Sequence, residues 1–161
     1  FMQATYENVI GNYAAYVVVS TDRAMAAGRE IWGFPKRMGE TKVEAEGKSG
    51  RIEATVTRHG VELVRASAHI SEDLIETPSL FYLPWLNYKE IFAVDGSIAI
   101  AQITAVDMSV EKAEYRGGYG TIELQSGPAD PLGELGPLEV IEAAYGNMDY
   151  VFPFGRVLKE L

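Results

Sequence analysis

Arg51-Ile52-Glu53-Ala54-Thr55-Val56-Thr57 alternates apolar and polar residues at every position. In an extended chain that spacing puts Ile52, Ala54 and Val56 on one face and Glu53, Thr55 and Thr57 on the other, as a half-buried strand requires. The same alternation runs from Lys42 to Glu46, with Gly47 and Gly50 around a tight connection, and another strand is expected from Val61 to Ile70 after a His59-Gly60 turn. Three strands joined by short turns predict an antiparallel meander. Ser71 to Ser79 breaks the pattern, and Pro78 argues against a central strand there. Phe81-Tyr82-Leu83-Pro84-Trp85-Leu86 reads as an edge or irregular lining segment. Further strands are expected over Ile98 to Val106, Met108 to Tyr115, Tyr119 to Gln125 and Tyr150 to Leu158, with Gly117-Gly118 as a sharp turn.

Toward the N-terminus, Tyr13 to Val19 is aromatic and β-branched and predicts a buried strand. A short helix over Thr21 to Ala27, capped by Ser20 or Thr21 and stopped by Gly28, follows it. A second helix is expected over Pro137 to Tyr145, because proline suits a first helical turn and Leu138, Ile141 and Tyr145 then share a face. The whole pattern predicts a mainly β fold, a β-rich α+β barrel or sandwich with two short helices, rather than a parallel α/β domain.

The 161 residues suffice for one buried core and are expected to form a single domain, 1–161. With 14 Lys and Arg against 23 Asp and Glu the formal charge is −9, which argues against non-specific binding to nucleic acid or anionic membranes. No cysteine is present, so disulfides and thiolate chemistry fall away within these residues. No run has the apolar length of a membrane span, and a cytoplasmic location is expected. The chain opens on Phe1 with Met2 second, and is expected to be N-terminally incomplete.

Gly28-Arg29-Glu30-Ile31-Trp32-Gly33-Phe34-Pro35-Lys36-Arg37 sets one lysine among aromatic and apolar residues. On periodicity alone this is equally a tight turn with an exposed Lys-Arg pair, anchored by Trp32 and Phe34. Under the chemical reading, burial disfavours the ammonium form and frees a neutral amine that can condense with a ketone. Arg37 adds a second cation that lowers the lysine pKa further if both face one cavity, although neighbours on a strand point to opposite faces. An anionic substrate needs a local positive centre on so acidic a chain, and Arg29, Lys36 and Arg37 supply one.

Gly28-Arg29-Glu30 followed by Phe34-Pro35-Lys36-Arg37 and Gly39 closely resembles the signature of the acetoacetate decarboxylase family. Gly11-Asn12-Tyr13, Arg51 to His69 and Leu83-Pro84-Trp85-Leu86-Asn87-Tyr88 resemble the family's flanking segments, so nearly the whole chain is covered. The resemblance implies an antiparallel β-barrel with two short helices and a homo-oligomer, and imine chemistry on a lysine is expected to need no metal or organic cofactor. The resemblance places the imine-forming role on Lys36. Tyr6-Glu7 resembles the family segment with a tyrosine beside an active-site glutamate, which gives Glu7 the task of orienting the bound acid or relaying a proton. The family carries a longer preceding region whose arginine holds the substrate carboxylate, and no residue here takes that part.

Arg37 joins Lys36 and Glu7 as a catalytic candidate. Arg29, Glu30, Trp32, Phe34, Tyr82 and Trp85 are the substrate-binding candidates, with the aromatics excluding water and Glu30 bracing the turn. His59 and His69 have neither the spacing of a metal pair nor a carboxylate partner. No Ser-His-acid pattern is persuasive, and Gly117, Gly118 and Gly120 lack the strand-to-helix context of a phosphate loop. The expected function is decarboxylation of a small β-keto acid such as acetoacetate through an imine and enamine. The alternatives are aldol, dehydration or cyclisation chemistry on a 2-oxo acid through the same lysine, and non-catalytic binding of a small ligand.

Overall fold

The computed structural model describes residues 2–47, 50–136 and 138–161. In chain order the elements are Met2–Tyr6 (β1), Val9–Tyr13 (β2), Val17–Val19 (β3), Asp22–Ala27 (α1), Lys36–Met38 (β4), Glu40–Ala45 (β5), Gly50–Arg58 (β6) and Val61–Ile75 (β7). Trp85–Phe92 (β8), Ile98–Val106 (β9), Ser109–Leu124 (β10), Ala143–Val151 (β11) and Arg156–Glu160 (β12) complete them. A π-helical turn covers Gly28–Trp32, and single 3-10 turns cover Ser79–Tyr82 and Leu132–Leu135. The fold is mainly β, as the alternating runs predict. No helix among the described residues is long and apolar enough to cross a membrane.

The chain divides into two compact units, one of Phe1–Arg37, Pro78–Lys112 and Asp149–Leu161, the other of Met38–Thr77 and Ala113–Met148. The second unit holds the meander and has the strand order β11-β10-β7-β6-β5. Ile52, Ala54 and Val56 pair with Ala68, Ala66 and Val64, so the apolar faces of β6 and β7 coincide. Arg58 pairs with Val61 across a two-residue turn in which His59 and Gly60 both have positive φ, 52° and 75°. That is the turn geometry whose twist matches two antiparallel strands. Below it, the Arg58 Nη1 donates to both carboxylate oxygens of Asp130 at 2.7 Å, and its Nε donates to the Met38 carbonyl at 3.0 Å.

Three expectations fail in this unit, each because strand pairing overrides a local signal. β7 does not stop at Ile70: Leu74 and Ile75 pair with Arg116 and Tyr115. Gly117-Gly118 is not a turn, since β10 runs straight through it with a register shift between Arg116 and Gly118. A side chain at Gly118 would strike the His69 carbonyl, so the glycine permits close approach of two strands rather than a reversal. The second helix is absent. Pro137 lies outside the described residues, 138–142 are irregular, and Ala143–Val151 is strand. Gly146, expected to end a helix, instead lies where a Cβ would collide with the Glu114 backbone of β10. Pairing along β10 outweighs the weak helical preference of this segment.

The first unit has the strand order β1-β2-β8-β9-β12, with β3 paired to β4. β8 is its middle strand, contrary to the edge expected around Pro84. The proline immediately precedes the strand, so its missing N–H removes no ladder bond, while its carbonyl accepts from the Asn12 N–H at 2.8 Å. The β2–β8 pairing is parallel, an exception to the antiparallel pattern predicted, and β8–β9 is antiparallel from Trp85↔Val106 to Phe92↔Ile98. Ala14, Phe34, Trp85 and Val106 form the buried core of this unit, with Trp32, Val17, Met108 and Phe152 packed on it.

Candidate active site

The lysine-bearing segment begins at α1, whose N-terminus is capped by Thr21: its Oγ1 accepts from the Ala24 N–H at 3.4 Å. Gly28 does not stop the helix. Its φ of −62° and ψ of −41° are helical, and the chain widens into the π-helical turn, a form that recurs at functional sites. The terminator is Gly33, with φ of 81°, a conformation that glycine adopts without strain. Its N–H donates to the Arg29 carbonyl at 3.2 Å, and the Phe34 N–H donates to the Gly28 carbonyl at 2.9 Å. The Lys36 N–H then reaches the Phe34 carbonyl at 2.7 Å across Pro35, and β4 starts.

Aromatic packing and side-chain bonds hold this turn. Trp32 stands edge-on to Phe152 at 4.9 Å and donates its indole N–H to the Pro153 carbonyl at 2.8 Å. Its own carbonyl accepts from the Thr104 hydroxyl at 3.0 Å. Phe34 is buried against Trp85, ring centroids 5.6 Å apart. Four contacts therefore fix a segment that is otherwise only one turn long.

Lys36 is half-buried, with Nζ 5.6 Å from the centre of the Phe34 ring. Nζ donates to the Ala24 carbonyl at 3.2 Å. Burial pushes its pKa below the usual lysine value, because the ammonium ion loses hydration that the surroundings do not replace. The stem of the lysine occupies the space beside Gly28, where a Cβ would lie 2.5 Å from Cε and 2.7 Å from Nζ. The arrangement presents an amine of reduced basicity, anchored at one carbonyl.

The exposed Arg29 donates from Nη1 to the Lys36 carbonyl at 3.3 Å, bracing the residue that carries the amine. Trp32, Phe34 and Trp85 form the aromatic support already described. Glu30 is exposed on the π-helical turn. The Arg37 guanidinium lies 5.0 Å from the Tyr16 ring centre, a cation–π placement, while the pKa shift of Lys36 stems from burial. Glu7 is exposed at the tip of the β1–β2 hairpin with φ of 51°. Its neighbour Tyr6 has a raised pKa, first from desolvation, then from the charge of Glu7 and a hydrogen bond to it. Tyr82 is 62% exposed on its 3-10 turn. The contacts thus bring Lys36 together with Arg29, Phe34, Trp32 and Trp85, and Glu7 and Tyr82 lie outside that set.

Two residues escaped the sequence reading. Gly28 looked like a helix stop and is a space for the lysine. Asn87, a polar residue in the otherwise apolar start of β8, is 2% exposed, and its side-chain oxygen and nitrogen find no hydrogen-bond partner among the described residues. It pairs across the sheet with Thr104, whose hydroxyl holds the Trp32 carbonyl. A buried amide left unsatisfied is destabilising, so Asn87→Leu, with the same heavy-atom branching, is expected to raise stability by about 1–2 kcal/mol. A urea midpoint lower than that of the wild type would show instead that the amide is held by a bond.

The acetoacetate decarboxylase family model matches residues 1–161. Acetoacetate decarboxylase 2 of Mesorhizobium japonicum is 27% identical over 162 residues, covering 97% of this chain and 60% of the relative. Acetoacetate decarboxylase of Paraburkholderia phytofirmans is 25% identical over 160 residues, covering 96% of the chain and 62% of that protein. This chain therefore spans about three-fifths of the length of such curated relatives. Among solved structures, acetoacetate decarboxylase from Legionella pneumophila superposes with a TM-score of 0.84 at 21% identity, over 96% of this chain and 63% of that one. The enduracididine biosynthesis enzyme MppR complexed with pyruvate gives 0.77 at 22% identity, over 99% and 64%. The fold is that of these structures.

Proposed function

Since the chain belongs to the acetoacetate decarboxylase family, we propose that it decarboxylates a small β-keto acid through an imine on Lys36. The observation that carries this reading is the half-buried amine itself, set over Phe34 and lowered in pKa by its burial. A greater neutral fraction near pH 7 is what a nucleophilic lysine requires.

In the proposed cycle the neutral Nζ adds to the ketone carbon, and the resulting carbinolamine loses water to give a protonated imine. The bond between the α-carbon and the carboxylate then breaks. Its electron pair forms the enamine double bond while the C=N π pair moves to nitrogen, and carbon dioxide leaves. Protonation at carbon regenerates the iminium, and water releases the ketone and the free amine. One proton is consumed for each carbon dioxide and ketone formed. The Ala24 carbonyl, which accepts from Nζ in the free protein, is suited to accept the single N–H that the iminium keeps. Trp32 and Phe34 limit water at the amine.

The test is incubation with acetoacetate, followed by borohydride reduction and peptide mass mapping. The expected result is a reduced adduct on Lys36 together with released carbon dioxide. An adduct without gas would transfer support to condensation chemistry. That second reading draws on MppR, solved in complex with pyruvate and with the condensation product of pyruvate and imidazole 4-carboxaldehyde. An enamine formed on Lys36 from a 2-oxo acid would attack an aldehyde instead of a proton, so pyruvate with an aldehyde is the matching assay. No adduct with either substrate, in folded protein, would leave the ligand-binding alternative.

A further inference from the structure

We infer that Gly28 is a positioning residue for the Lys36 amine: the missing side chain is the berth in which the lysine stem lies, and the helical backbone around it supplies the carbonyl that holds Nζ. The inference rests on the reading of Lys36 as the nucleophile but concerns a different residue. A Cβ at position 28 would fall on the Lys36 Cδ, 2.5 Å from Cε and 2.7 Å from Nζ, so three consecutive atoms of the lysine fill the space a side chain would take. Gly28 is buried, while its φ of −62° and ψ of −41° suit any residue. Its backbone therefore has no need of glycine. In a helical conformation alanine is the better residue, since glycine loses more backbone freedom on being fixed there. A glycine that helix energetics disfavours, in a conformation that does not require it, is explained by the lysine lying against it.

The berth also sets direction. Ala24, one helical turn before Gly28, offers its carbonyl to the Gly28 N–H, and the same oxygen accepts from Nζ at 3.2 Å. The lysine is thus pressed along the end of α1 on the side that glycine leaves open, with the Phe34 ring 5.6 Å away. Any side chain at position 28 forces the stem to another rotamer. Because the obstructing atoms are the far end of a flexible chain, the fold tolerates the change and the amine moves.

The test compares wild type, Gly28→Ala, Lys36→Ala and the Gly28→Ala/Lys36→Ala double variant. For the first two, Lys36 reactivity toward trace acetic anhydride is measured against pH by peptide mass mapping, and acetoacetate adducts are trapped with borohydride. Gly28→Ala is expected to fold, to shift Lys36 reactivity toward that of an ordinary solvated lysine, and to lower adduct formation by about 100-fold, as a displaced reacting group does. Thermal stability should hold or rise. The double variant should be at least as stable as Lys36→Ala alone, because the steric conflict exists only when the lysine is present. Should Gly28→Ala fail to fold, a folded double variant still assigns the space to the lysine, and an unfolded one overturns the inference. Wild-type reactivity and trapping in folded Gly28→Ala would overturn it as well. If the wild type forms no imine, the proposed function fails while the anhydride titration and the stability cycle continue to decide the role of Gly28.

Discussion

Folded Lys36→Ala protein is expected to yield no borohydride-trapped adduct with acetoacetate and to release carbon dioxide no faster than buffer. Lys36→Arg should fail equally, because a guanidinium does not deprotonate to a neutral amine at accessible pH. Loss of the nucleophile should lower turnover by at least about 10,000-fold, since the whole covalent route disappears. The same residue predicts a pH-dependent stability. Its folded pKa is depressed below the usual 10.5, so the unfolded chain binds the proton more readily. Relative to a neutral side chain, the folded state is at its best above the unfolded pKa and loses that advantage as pH falls through the folded value. Lys36→Met should therefore be more stable than wild type at pH 7, with the gap closing as pH rises past 10.5. Denaturant titration across that range measures it. Wild-type turnover and an intact adduct in folded Lys36→Ala would remove Lys36 from the chemistry.

The second large effect lies in the other unit. The Asp130 side chain is fully buried and that of Arg58 is 17% exposed, with Nη1 donating to both carboxylate oxygens at 2.7 Å. Removing one member leaves a desolvated charge without its counter-ion, which costs about 3–5 kcal/mol. Asp130→Ala and Arg58→Ala should each lower the free energy of unfolding, measured by urea titration, by that amount. A combined Arg58→Met/Asp130→Leu variant should recover most of it, because a well-packed apolar pair has no charge to desolvate. A loss below about 1 kcal/mol in Asp130→Ala would mean that the pair contributes no more than an exposed ion pair does.

What was legible from sequence was local in origin. The alternation around Ile52, the His59-Gly60 turn and the Thr21 cap depend on near neighbours and on backbone preferences, and each takes the predicted form. The local setting of Lys36 was legible for the same reason: Trp32 and Phe34 lie within four positions of it, while Trp85 and Phe152, which pack on them, come from distant segments. Glycine and proline misled wherever distant backbone decided their use. Gly118 and Gly146 mark close approach of β10 to other strands, and Pro84 precedes a central strand whose partners come from residues 9–13 and 98–106. A glycine reads alike in a sequence whether it turns the chain, ends a helix or makes room.

Composition, strand period and the lysine motif are written in the order of the residues, because each depends on neighbours a few positions apart. Only the tertiary structure decided that Gly28 houses the lysine stem, that Asn87 is buried beside the strand that braces Trp32, and that Arg58 meets Asp130 seventy-two positions away. Burial and pairing are relations between distant segments, and the free energies that enforce them exist only once those segments have met.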